Sequence, residues 1–398
     1  MTNDSTAMKS SSIYMTHLGI VCSLGNDHQE IRERLARGKD HGLSYTDQYG
    51  VASIPLGKVN CPLPSLQELP EYQRTRCNQL MIAAVSQIKS DFEVASKNID
   101  PLRIGIVLGT STGGIAEGET AAQAYYHHNA PISESAYPQQ EISLPAECLA
   151  DYLQIKGPVY TISTACSSGA KSLASARRLL RMGICDLVIA GGVDSLCKLT
   201  VNGFNALESI SKQPCQPFSL SREGINIGEG AAFFLMSKQQ GDVCLSGVGE
   251  NSDAHHISAP EPSGTGASAA MHLALNDADT QPEQIDYINA HGTATVQNDK
   301  MESLAINSIF GEKTPVSSTK SYTGHCLGAA GAIEAGICWL TLTGTDLPVQ
   351  IWDEVKDPDV APINIIQYST KVDKIDYILS NSFAFGGNNI SLILERSR

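Results

Sequence analysis

Apolar and polar positions along the chain fall into blocks with two different periods. Five short runs read as strands buried on both faces: "IGIVLGT" (104–110), "DLVIAGG" (186–192), "AAFFLMS" (231–237), "DYINAHG" (286–292) and "NISLILE" (389–395). Their apolar residues cluster rather than alternate strictly, as in a sheet covered on each side. Between them, "PEYQRTRCNQLMIAAVSQIKSDF" (70–92) and "GASAAMHLALNDA" (266–278) place apolar residues three and four apart, the spacing of a helix. Strands alternating with helices predict an α/β architecture.

The same order of elements runs twice. "TISTACSSGAKSLASARRLL" (161–180) has a counterpart in "PVSSTKSYTGHCLGAAGAIEAGICWL" (315–340): strand, serine- and threonine-rich turn, small-residue helix. Each half closes on an apolar strand, "FFLMS" in one and "SLILE" in the other. We therefore expect a duplication, with halves at 13–240 and 241–398 and a flexible polar tail at 1–12.

In the first half, Cys166 sits where the strand stops and the helix starts. Ser167, Ser168, Gly169, Ala170, Ser172 and Ala174 leave that helix almost no bulk on its first turns. Such a helix is expected to be central and buried, with its N-terminus aimed at the sulfur. An unpaired cysteine is most often a small buried hydrophobe. A thiol at a helix N-terminus is also stabilised as thiolate, with its pKa drawn toward neutrality. The local residues leave both readings open.

Composition narrows the class. A chain of 398 residues, 42% hydrophobic and 18% charged, describes a compact enzyme rather than a disordered or fibrous protein. No apolar run approaches the roughly 18 residues that span a bilayer. The opening "MTNDSTAMKSSS" lacks the apolar core of a signal peptide, so the cytoplasm is the expected compartment. The cysteines are scattered with no C-x-x-C pair, which argues against a disulfide framework and a zinc site; no metal is expected. A formal net charge of −14 argues against a nucleic-acid partner. Arg74 with Arg76, and Arg177 with Arg178 and Arg181, read as solvated surface unless the partner is acidic.

A nucleophile needs partners, and the second half offers them. "NAHGTAT" puts His291 after a strand, and "STKSYTGHCLGAAGAIEA" puts His325 at the entrance of the small-residue helix, five positions after Lys320. Either histidine alone reads as a satisfied core residue. Together they lie beside glycines at corresponding edges of the second half. "NSFAFGGNN" adds a turn at Phe385, Gly386 and Gly387 whose free N–H groups suit an oxyanion.

These residues carry a family resemblance. "TAC" at Cys166, "PFSLSREGINIGEGA" (217–231), "AHGTAT" at His291, "STK" and "GH" at Lys320 and His325, and "FAFGGNN" occur in register. From about Ile13 to the C-terminus the chain resembles the β-ketoacyl-acyl-carrier-protein synthases, the elongating condensing enzymes of thiolase fold. The resemblance implies two βαβαβαββ halves stacked in α-β-α-β-α layers. It implies that Cys166 takes an acyl chain as a thioester, with the N–H groups of Cys166 and Phe385 holding the oxyanion. His291 and His325 would bind the malonyl thioester carbonyl and help expel carbon dioxide. Lys320 and Glu302 would pair to orient the site, Thr293 and Thr295 would bind the phosphopantetheine arm, and Phe385 would gate. That arm arrives on the acyl carrier protein, so no resident cofactor is implied. Carrier proteins are acidic, which makes Arg74, Arg76, Arg177, Arg178 and Arg181 candidate docking residues.

Two departures stand out. The family's usual "GFGGTN" reads "AFGGNN", with Ala384 and Asn388 in place of glycine and threonine. Thr112 in "GTSTGG" stands where elongators often carry a bulkier apolar residue near the acyl pocket. "GGVDSLCKLTVNGFNALES" and "GENSDAHHISAP" look most like ketosynthases of aryl polyene clusters, which implies a heterodimer with a chain-length-factor-like partner. A non-catalytic chain-length factor typically lacks the cysteine, and an initiating enzyme carries asparagine where His325 stands. A degradative thiolase needs a second cysteine as base. "GTSTGG" contains neither G-x-G-x-x-G nor a P-loop lysine, so nucleotide binding fails.

Overall fold

The computed structural model of the protein describes residues 12–397. Of the expected tail, residues 1–11 lie outside the described residues. In the first half, β1 (Tyr14–Val21), β2 (Ile104–Gly109), β3 (Val159–Ile162), β4 (Leu187–Asp194) and β5 (Gly230–Ser237) lie in the order β3-β2-β4-β5-β1. In the second, β6 (Val243–Ser252), β7 (Tyr287–Asn289), β8 (Pro315–Ser317), β9 (Tyr377–Ala384) and β10 (Asn388–Arg396) lie in the order β8-β7-β9-β10-β6. The two orders are the same permutation. Strand directions repeat as well: the three outer strands of each sheet are parallel, and the two that close it are antiparallel. The sheets meet between β1 and β6 through one residue pair, Tyr14 with Cys244.

Among the helices that fill and cover these sheets are α1 (Arg76–Ser86), α2 (Ser168–Arg181), α3 (Thr265–Asp277), α4 (Val296–Phe310) and α5 (Ala330–Leu342). Helices α2 and α5 lie between the sheets, α1 covers the far face of the first, and α3 and α4 cover the far face of the second. The result is the α-β-α-β-α stack, in which β2 and β4 are buried at every position. Small residues let the two central helices touch. A Cβ on Gly169 would come within 2.8 Å of the Ala332 nitrogen, and one on Gly331 within 2.8 Å of the Ala170 Cβ. Both contacts lie on the first turns, so the helix N-termini converge.

Two expectations change. The segment 70–92 is not one helix: a short turn at Glu71–Gln73 precedes α1, and a separate helix spans Lys89–Ser96. Thr75 Oγ1 accepts the Asn78 N–H at 3.1 Å and starts α1 there. The break after Ser86 follows Gln87, whose amide leaves to bond Ile20 N and O at 3.1 and 2.8 Å. The strand expected at 286–292 is shorter, because Glu302 draws the N–H groups of His291 and Gly292 out of the sheet.

Candidate active site

Cys166 lies in the turn between β3 and α2. Ser167 Oγ and Ser168 Oγ donate back to the carbonyls of Thr164 and Ala165 at 2.8 and 2.6 Å, bracing the turn. Ala165 has φ +52°, a left-handed conformation costly for a residue with a Cβ. The sulfur is buried at the start of the helix, as expected, but its pKa moves the other way. Burial pushes the thiol up to about 11, and the Lys320 charge and the Phe385 N–H only partly offset that rise. Cys166 rests as a thiol.

The second repeat places His325 in the turn between β8 and α5, the position that Cys166 holds in the first. His325 N donates to Asn226 O at 2.6 Å. Its Nε2 lies 3.0 Å from Cys166 Sγ. His291, just past β7, stacks edge-on at 5.4 Å between ring centroids and 83° between planes. The sulfur and one nitrogen from each ring lie within 4.8 Å of one another. Three groups far apart in the chain thus meet at one point.

Burial and the nearby Lys320 charge hold both imidazoles well below the usual histidine range, so both are neutral. Lys320 Nζ lies 3.4 Å from His291 Nδ1 and also donates to the His291 carbonyl. An ammonium can only donate, so Nδ1 accepts and the His291 proton sits on Nε2. His325 Nδ1, by contrast, is buried with no hydrogen-bond partner among the described residues. One imidazole has a fixed tautomer and the other does not.

The acid paired with Lys320 is Glu334 on α5, not Glu302 as expected. Glu302 on α4 accepts from His291 N at 2.8 Å and Gly292 N at 2.7 Å, holding the histidine's backbone. Burial pushes its carboxyl up to about 7. Glu334 had a signal in the sequence: it is the one charged residue in an otherwise apolar and small-residue helix, where an ion must find a partner. Thr112, expected near the acyl pocket, has its hydroxyl engaged elsewhere. Its hydroxyl donates to Asp194 at 2.8 Å, and it does not line the cavity at Cys166. Asp194 itself was missed; it gathers Thr110 Oγ1, Ser111 N and Thr112 N, and takes Gly328 N from the His325 loop at 2.6 Å.

That cavity has a volume of about 170 Å³. Cys166, His291 and His325 form its floor, Phe204, Phe383 and Phe385 its apolar wall, and Thr293 and Thr295 also line it. Their hydroxyls lie 2.9 Å apart. The Phe385 ring rests on Phe204 at 5.5 Å.

The arginine candidates divide. Arg177 is buried and paired with Asp277, a structural ion rather than a docking residue, and Arg76, partly exposed, is paired with buried Glu229 at 2.6 Å. Arg181 is half-buried against the same Asp277 at 3.6 Å. Arg178 is exposed and paired with Glu250. Arg74 is exposed, with its guanidinium on the carbonyls of Leu69 and Gln67 at 2.8 and 2.9 Å.

Comparison with known proteins decides the family. Residues 11–241 match the beta-ketoacyl synthase N-terminal domain, and residues 243–351 match the C-terminal domain. The chain belongs to the β-ketoacyl synthase family. It is 34% identical to 3-oxoacyl-[acyl-carrier-protein] synthase 2 of Rhizobium meliloti (strain 1021), over 96% of this chain and 98% of the relative. The enzyme of the same name from Coxiella burnetii (strain RSA 493 / Nine Mile phase I) is 31% identical over 98% and 99%. Among solved structures, the ketosynthase ApeO in complex with its chain length factor ApeC, from Xenorhabdus doucetiae, superposes with a TM-score of 0.93. It is 42% identical, with 97% of this chain and 98% of that one covered. This ketosynthase is an acyl-transferring condensing enzyme that joins a malonyl unit to an acyl chain with loss of carbon dioxide. Among the described residues no helix is long and apolar enough to cross a membrane.

Proposed function

We propose that Cys166 is the acyl acceptor and that the two histidines divide the chemistry by tautomer. In the first step the Cys166 sulfur attacks the acyl thioester of the carrier protein. Its proton passes to His325 Nε2, 3.0 Å away. The C–S bond to the pantetheine arm breaks, and that sulfur leaves with the proton from His325. The N–H groups of Cys166 and Phe385 hold the oxyanion. In the second step His325 has exchanged tautomer, gaining a proton at Nε2 from water in the cavity and losing the one at Nδ1, so the malonyl thioester carbonyl sits between two Nε2–H groups; carbon dioxide departs, and its electron pair stays as an enolate. The enolate carbon bonds the acyl carbon, the bond to Cys166 breaks, and a proton from water restores the thiol. His291, locked by Lys320, donates only; His325, unlocked at Nδ1, serves as base first and donor second. Thr293 and Thr295 bind the arm of the carrier protein, and Arg74 and Arg178 are the most exposed of the five candidate arginines to meet it.

The observation that carries this reading is the 3.0 Å contact between His325 Nε2 and a thiol that burial keeps protonated. Incubation with an acyl carrier protein loaded with an unsaturated acyl chain should add the acyl mass to the enzyme. Cys166→Ala should abolish that adduct, and an adduct that survives would reject the nucleophile.

The chain is further read as the catalytic half of a heterodimer with a chain-length-factor-like subunit, making polyene chains of the aryl polyene kind. Support comes from β3, whose outer edge has no strand beside it among the described residues, and from exposed Tyr126, Ile132 and Tyr137. The Xenorhabdus structure contains such a partner. Co-purification with that subunit and native mass analysis test it; a stable homodimer with full activity would refute it.

A further inference from the structure

Asn388, which departs from the usual threonine, makes contacts that the reaction scheme above leaves unused. It is the first residue of β10 and pairs with Ala384, closing the turn at Phe385–Gly387. Two residues of that turn, Gly386 and Gly387, have φ +81° and +72°. The turn supplies the Phe385 N–H that acts on Cys166 Sγ. From outside, Gly386 N donates to Ile257 O at 2.8 Å, and Asp253 N donates to Gly387 O at 2.9 Å.

The Asn388 side chain works from the other side. Its Oδ1 accepts from Lys171 Nζ at 3.0 Å. Its Nδ2 lies back over the turn, 3.5 Å from where a Cβ on Gly386 would stand. Lys171 is half-buried on α2, a little more than one helical turn beyond Cys166, with Glu250 and Arg178 as its charged neighbours. The helix that carries the nucleophile therefore also grips the strand that carries Phe385. A closed circuit of contacts runs from Cys166 through α2, Lys171 and Asn388 to the turn, and back to the sulfur.

We infer that Lys171 and Asn388 are positioning residues that hold the Phe385–Gly387 turn, and with it the Phe385 N–H, against Cys166 during acyl transfer. An amide suits the task because its carbonyl oxygen accepts from the ammonium while its nitrogen end covers Gly386. The inference rests on Cys166 as the acyl acceptor.

Single-turnover acylation of the full-length enzyme by acyl carrier protein, followed by intact mass, tests it. Asn388→Leu, similar in size but without an acceptor, and Lys171→Met should each slow acylation by about tenfold, the size of a typical coupled pair. The double variant should be no slower than either single one. Asn388→Asp, which keeps an oxygen for Lys171, should restore most of the rate. Thermal midpoints of all four should match the wild type, so that folding does not explain the loss. Unchanged rates in the single variants, losses that multiply in the double one, or Asn388→Asp as slow as Asn388→Leu would each overturn the inference. The Cys166→Ala control separates this from failure of the site itself: an adduct that survives there would strike the nucleophile, not the pair.

Discussion

The two halves of the molecule build the same turn and use it for opposite purposes. In the first, the turn after β3 offers a sulfur at the start of α2; in the second, the turn after β8 offers the His325 imidazole ahead of α5. For Cys166 the helix N-terminus and burial pull in opposite directions. A helix terminus contributes about 0.3–1 kcal/mol, at most ~2, whereas burial shifts a fully enclosed group by up to roughly 3–5 pKa units. Burial wins, and the thiol keeps its proton. For His325 burial and the Lys320 charge act together, and the ring stays neutral. A duplicated frame thus yields a protonated nucleophile and an uncharged base 3.0 Å apart.

Substitution of the two histidines is the strongest way to break that comparison. His325→Ala should slow both acyl loading and malonyl decarboxylation, by about 10²–10⁴-fold as for a lost general base. His291→Ala should spare loading while decarboxylation falls by a similar factor. Loading measured by mass and decarboxylation measured by carbon dioxide release separate the two; equal losses in both variants would erase the distinction. Lys320→Met sharpens it further. It frees the His291 tautomer and leaves Glu334 buried without its cation, at a stability cost of about 3–5 kcal/mol readable by denaturant titration. Gly331→Ala, which drives a Cβ against Ala170 between the central helices, should cost about 1–3 kcal/mol in the same assay. Unaltered stability there would mean that the helices are not held at that distance.

Much of this frame was legible in the chain. Continuous apolar runs mark the buried strands, and the recurring strand, turn and small-residue helix mark the repeat, because both follow from local periodicity. Cys166, His291, His325, Lys320, Thr293, Thr295 and Phe385 converge as their motifs imply. What stayed hidden depends on distance in space rather than in sequence. Which acid meets Lys320 is set by how α5 packs, so Glu302 was expected where Glu334 stands. Thr112 turns to Asp194 because a buried carboxylate gathers donors from two segments far apart in the chain, 110–112 and Gly328, which no single motif announces. Arg177 and Arg76 look like surface cations until Asp277 and Glu229 are placed beside them. The sign of the Cys166 shift was misjudged for the same reason: the helix is visible in sequence, but the depth of burial is not.

The pH dependence of Cys166 alkylation tests the central claim most directly. A small reagent such as iodoacetamide reacts with the thiolate, so its rate follows the ionised fraction. With the thiol pushed up to about 11, the rate should climb roughly tenfold per pH unit from 7 to 9, still rising at the upper end. A rate that levels off near neutral pH would show a thiolate already formed at rest, and would contradict the account of a protonated sulfur waiting on His325.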